Sequence, residues 1–181
     1  LTARGRFQVS PSVVLAWNSI QRGLLEKDHY VPADQIVVTG SPYFEKWLDA
    51  SSTRISRDAF LNAVGIDPKM PYVLYLGSSG KVTGNETWLV KELADAFRAH
   101  QNAGVQGTRI LVRPHPSNAS HFADFVDDLV TVWPKQGELS DSQDAVANFY
   151  NSAVHSVATV GVNTSGMVDA LAMDVPGIAL T

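Results

Sequence analysis

Three short stretches of this sequence combine residue types that can capture an anion. Arg113-Pro114-His115-Pro116 sets a guanidinium and an imidazole among prolines. The prolines fix φ and disfavour helix in the residue before each, so His115 is held in a rigid loop. An imidazole so placed can donate to a phosphate oxygen, with a structural histidine bonding a backbone carbonyl as the competing reading. Asn163-Thr164-Ser165-Gly166 precedes a helix-patterned run carrying Asp169. Thr164 or Ser165 can cap that helix, and the spare amides and hydroxyls then form an anion site at the positive end of the dipole. From one turn in, the Asp169 carboxylate can accept two ribose hydroxyls. Ordinary capping, with Asp169 complementing the dipole, accounts for the same residues. Gly77-Ser78-Ser79-Gly80-Lys81-Val82-Thr83-Gly84 is small enough for backbone amides to approach an anion. Val82 stands where a P-loop needs Ser or Thr, which argues against an ATPase and leaves a flexible strand-to-helix turn as the alternative.

These loops need elements that bring them together. The apolar pattern predicts strands at 72–76, 109–112, 129–133, 156–160 and 177–180, separated by helices at 86–100, 119–129, 142–152 and 165–173, with a helix at 54–64 ahead of them. Strands alternating with helices imply a parallel sheet, and nearly all-apolar strands imply helices on both of its faces. In such sheets ligands bind beyond the carboxyl ends of the strands, which is where all three stretches fall. Ahead of this region, 13–17 and 36–40 read as strands around a helical stretch, and 43–50 as a short helix. Ser51-Ser52-Thr53 is the linker candidate. The division is therefore set near residue 52, with 1–52 as the end of an N-terminal domain or interdomain segment and 53–181 as the main domain.

Composition narrows the function classes. A chain of 181 residues with formal charge −4 has no general attraction to nucleic acid or anionic membrane, so an anion must be captured by local geometry. The absence of cysteine excludes a disulfide framework, a thiolate zinc site and a cysteine nucleophile, and suits a cytoplasmic protein. No apolar run reaches the ~20 residues of a spanning helix. His29, His100, His121 and His155 lack metal-ligand spacing, so neither a metal nor a cofactor is expected. Trp17, Trp47, Trp88 and Trp133 read as packing residues. Apart from Asp169, no carboxylate is expected at the strand-end loops, which argues against a two-carboxylate glycosidase. Leu1 in place of an initiator Met, and a last strand with no cap, suggest a piece of a longer protein.

The order of a strand with Gly-Ser-Ser, a strand with Arg-Pro-His-Pro, then Asn-Thr-Ser-Gly, a helix and Val-Pro-Gly resembles the C-terminal domain of GT-B glycosyltransferases. The His-Pro pair is similar to that of bacterial capsule-type transferases and CDP-glycerol glycerophosphotransferases. Trp17-Asn18 through Val37-Val38-Thr39-Gly40-Ser41-Pro42-Tyr43-Phe44 resembles the interdomain region of the same proteins. The resemblance implies a Rossmann-like α/β fold, one GT-B half plus part of the interdomain region. It implies binding of a nucleotide-activated sugar or glycerol donor for transfer in surface polysaccharide synthesis. Arg113, His115, Ser78, Ser79, Thr164 and Ser165 would meet the donor phosphates and Asp169 the ribose, with Asn163 and Gly166 in the same donor-nucleotide site; Gly166 stands where some relatives carry a second serine. Acceptor and catalytic base would come from the N-terminal domain, so catalytic residues stay unknown and this chain alone is expected not to turn over. Two alternatives stay open: a nucleotide-sugar 2-epimerase-like enzyme, and a non-catalytic interaction domain with the same half fold.

Overall fold

The computed structural model describes residues 9, 11–103 and 107–180. The chain forms two compact units, residues up to Lys46 and residues from Trp47 onward. The division falls inside a helix, ahead of the serine-rich linker candidate near residue 52.

In the first unit, β1 (Val14–Ala16) and β2 (Ile36–Val38) pair in parallel, with Val14 opposite Ile36. Helix α1 (Ser19–Asp28) makes the crossover between them. It starts where it does because the Asn18 side chain accepts from Gln21 N at 2.8 Å and so satisfies one of the helix's orphan donors. Ala16, Leu25, Val31 and Ile36 form a small core. Helix α2 (Pro42–Ala50) begins in this unit and ends in the next.

The second unit is built on a five-stranded parallel sheet, β3 (Tyr72–Leu76), β4 (Arg109–Arg113), β5 (Val130–Val132), β6 (Thr159–Gly161) and β7 (Gly177–Ala179). Its spatial order is β5-β4-β3-β6-β7. All five residues of β3 are buried, as the continuous apolar run Tyr-Val-Leu-Tyr-Leu requires of a central strand covered on both sides. One face packs Val73, Tyr75, Ile110, Val112 and Val160 against Val90 and Ala94 of helix α4 (Thr87–Asn102). Helices α3 (Arg57–Val64), α5 (Gln143–Val154) and α6 (Ser165–Ala172) complete the layer structure. Tyr72 reaches α5, where its hydroxyl donates to Ser152 O at 2.7 Å, and its ring lies 6.5 Å from that of Phe60 in α3.

The expected helix at 119–129 is replaced by 3-10 turns over Pro116–Phe122 and an irregular stretch leading to β5. Phe122, Phe125 and Leu129 still face the core, at the three- and four-residue spacing that suggested a helix. Local polar closures substitute for helical hydrogen bonds: the His115 side chain caps the first turn, and Asp127 Oδ1 accepts from Leu129 N at 2.8 Å.

The chain builds β3, β4 and β5 outward on one side of β3, then returns to place β6 and β7 on the other. The connections after β3 and β6 thus leave the sheet in opposite directions. This is the switch point at which open α/β sheets leave a crevice.

Candidate functional site

The loops after β4, β3 and β6 are neighbours at the carboxyl edge because their strands are neighbours, with β3 in the middle. Close backbone approach joins them. Gly77 N donates to Arg113 O at 2.9 Å, and a Cβ at Gly161 would lie 2.8 Å from Leu76 O, so glycine is required there for β6 to pack on the end of β3.

The loop after β3 turns inward. Ser78 is fully buried; its N–H donates to Glu86 Oε2 at 2.9 Å, and its carbonyl accepts from Asn118 Nδ2 at 2.9 Å. Asn118 Nδ2 also donates to Thr83 O at 3.0 Å, which pins the far side of the turn. Ser78 was expected to meet a donor phosphate; instead its amide is occupied by the protein's own carboxyl group at the start of α4. Ser79, half-buried, accepts from Val82 N at 2.8 Å through its carbonyl, and Gly80 is exposed. Three buried oxygens in this region, Tyr75 Oη, Ser78 Oγ and Glu86 Oε1, make no hydrogen bond among the described residues. Burial pushes the Tyr75 phenol well above its ordinary range, and the Glu86 carboxyl adds to the shift.

The loop after β4 separates its two charged-type residues. Arg113 is buried: its Nη2 donates to Glu138 Oε2 at 2.9 Å and its Nη1 to Ser152 Oγ at 3.2 Å. Its guanidinium carbon lies 5.2 Å from the Trp133 ring centroid and 5.7 Å from that of Phe149. Burial lowers its pKa, and the Glu138 partner opposes that shift. Arg113 was expected to clamp a phosphate; the structure gives it different partners, and it ties the end of β4 to α5 and to the loop after β5. His115 is half-buried, and its Nδ1 is engaged by Ser117, whose N–H donates to it at 3.1 Å and whose Oγ lies 2.8 Å away. Gly80 N donates to Ser117 Oγ at 3.0 Å, so the β3 and β4 loops are joined by side chains as well as backbone. The loop after β5 presses on them from the other side. Gly137 has φ +70°, and a Cβ there would lie 2.7 Å from Pro116 N and 2.8 Å from Pro114 O.

The loop after β6 is open by comparison. Thr164 caps α6, with its Oγ1 accepting from Gly166 N at 3.4 Å. Asn163 and Ser165 are exposed, and Gly166 lies 3.4 Å in projected Cβ contact from Leu76 Cδ1, where it packs the helix start onto β3. Asp169, expected to face a ribose, is buried and accepts from Trp47 Nε1 at 3.0 Å. Trp47, read from sequence as packing, is therefore also a hydrogen-bond donor to a candidate site residue.

Glu86, Glu138, Asn118 and Ser117 were not singled out from sequence, and the expectation that Asp169 would be the one carboxylate at the strand-end loops is corrected by Glu86 and Glu138. A detectable signal existed only for Ser117 and Asn118, polar residues directly after His-Pro. Among the described residues no group of three or more His, Asp and Glu is placed to hold a metal, and no helix is long and apolar enough to cross a membrane.

The sequence matches no family model and no curated protein sequence. The fold has known counterparts among solved structures. The UDP-GlcNAc 2-epimerase from Methanocaldococcus jannaschii superposes with TM-score 0.62 at 17% identity over 93% of this chain and 46% of that one. The same enzyme in complex with UDP-GlcNAc and UDP gives 0.58 at 15% identity, over 93% and 45%. The wall teichoic acid polymerase TagF gives 0.50 at 13% identity, over 93% and 38%. At these identities the likeness is one of fold: an α/β half with a parallel sheet flanked by helices. The chain spans less than half the length of each of these structures.

Proposed function

We propose that this chain carries the donor-nucleotide half of a GT-B-like transferase, binding the phosphates of a nucleotide-activated sugar or glycerol at the carboxyl ends of β3, β4 and β6. The observation that supports this reading is the switch point beside β3, where the histidine loop follows the strand on one side and the capped start of α6 follows the strand on the other. His115, Ser79, Asn163, Thr164, Ser165 and Gly166 are the proposed phosphate contacts, with Asp169 toward the ribose. Ser78 and Arg113 support these residues from beneath. Leaving-group charge would be stabilised by positioned donors, without covalent chemistry. Surface polysaccharide synthesis is the proposed setting. Residues 1–52 are proposed to belong with an N-terminal domain that supplies acceptor and catalytic base.

Calorimetric titration with UDP, CDP, CMP and GDP tests the reading, with His115→Ala as control. Binding of at least one nucleotide, weakened by the substitution, is expected; no binding by any of them sinks the proposal. A second reading, a nucleotide-sugar 2-epimerase half, draws on the solved M. jannaschii enzyme, whose complex contains UDP-GlcNAc and UDP. Joined to its N-terminal partner, such a protein would interconvert UDP-sugars at C2 with no acceptor present, and a transferase would not.

A further inference from the structure

Ser117 follows the His-Pro pair and stands between two loops. Its backbone N–H donates to His115 Nδ1 at 3.1 Å. A backbone N–H cannot accept, so Nδ1 must present its lone pair, and in the neutral ring the proton is on Nε2. The hydroxyl agrees with this assignment. With Nδ1 presenting its lone pair, the Ser117 hydroxyl 2.8 Å away can only donate to it, and the same Oγ accepts from Gly80 N–H at 3.0 Å. Hydrogen-bond polarity therefore runs one way, from Gly80 N–H through the Ser117 hydroxyl to Nδ1. Nε2 makes no hydrogen bond among the described residues.

We infer that Ser117 is a positioning residue: it holds His115 in the tautomer that offers Nε2–H as a donor, and it couples that imidazole to Gly80 of the β3 loop. Because Nδ1 is occupied, the ring meets an anion with a hydrogen and is not offered as a base through Nδ1. For the donor site this deepens the proposed function and rests on it: His115 would give a hydrogen bond to a phosphate oxygen, and the β3 loop would be set at a fixed distance from it. Asn118 strengthens the coupling by holding Ser78 O and Thr83 O on the same turn.

The tautomer is read directly on the full chain, free of ligand, by long-range nitrogen–proton correlation spectra of ¹⁵N-histidine-labelled protein at mildly alkaline pH. The expected spectrum shows the Nε2–H form for His115, assigned by its loss in His115→Gln. An Nδ1–H form would overturn the inference. In Ser117→Ala the Gly80 amide should exchange about two- to tenfold faster, as expected for loss of one modest hydrogen bond, and a minor Nδ1–H population should appear. Ser117→Thr should restore both. Unchanged exchange and an unchanged imidazole spectrum in Ser117→Ala would also overturn it. UDP and CDP titrations then separate the two claims. Binding that weakens about two- to tenfold in Ser117→Ala and recovers in Ser117→Thr supports the positioning role. Undiminished binding in Ser117→Ala removes that role. Failure of the wild type to bind any nucleotide removes the proposed function, while the spectra still decide the tautomer.

Discussion

The segments that follow β3 and β6, residues 77–86 and 162–166, both carry glycine and serine, and both lead from a buried parallel strand into or toward a helix start. Their fates differ. After β3 the turn is folded back on itself, with Ser78 N–H given to Glu86 and Ser78 O held by Asn118. After β6 Thr164 caps the helix, at a long 3.4 Å, while Asn163 and Ser165 stay exposed. The lesson is that an amide-rich turn is an anion site only if the protein has not already supplied the anion. A carboxyl group eight residues on, that of Glu86, accepts the Ser78 amide and closes the first turn.

The largest way to disturb this contrast is from beneath. Arg113→Ala removes the partner of a carboxylate that is itself largely buried and takes the guanidinium from beside Trp133 and Phe149. It should cost ~3–5 kcal/mol of stability by urea denaturation, the range for breaking a buried pair by deleting one member. Glu86→Ala unlocks the closed turn itself. It leaves Ser78 N–H without its acceptor in a buried setting and should cost about 1–3 kcal/mol, with faster exchange of the Ser78 amide. A stability unchanged within error would show that the turn is not held by this bond.

The next test acts on the open side. Thr164→Ala removes the N-terminal side-chain cap of α6 and should cost about 0.5–1 kcal/mol, the low end of the capping range because the bond is long. If the proposed donor site is right, it should also weaken nucleotide binding, whereas Glu86→Ala would act on binding only through loop order. The smallest expected effect is the sharpest discriminator. Ser78→Ala deletes a buried hydroxyl with no partner among the described residues, so stability should be unchanged or slightly raised, with nucleotide affinity unaffected. A large loss of affinity in Ser78→Ala would place the ligand against the closed turn after all.

The alternation of strands and helices was legible because short apolar runs such as Tyr72–Leu76 are bounded by turn residues, and because Thr164 is a capping residue ahead of a helical pattern. The rigidity of the His115 loop was equally visible in its two prolines. What sequence could not show was pairing across the fold. Nothing at position 138 marks Glu138 as the partner of Arg113, since the two meet only after β5 has been laid beside β4. Glu86 looked like the first residue of a helix, and only the backward fold of the turn brings it under Ser78. The run at 119–129 has helical spacing, but its short span to β5 and its aspartates favour local turns.

Gly137 gives the His115 loop an unexpected kind of vulnerability. Any side chain there would collide with Pro114 O and Pro116 N, and its backbone already occupies a region that side-chain-bearing residues avoid. The position therefore acts as a remote handle on the site. Among diverging copies of this fold, a change at 137 could retune or disable the histidine loop while every residue of that loop stayed the same.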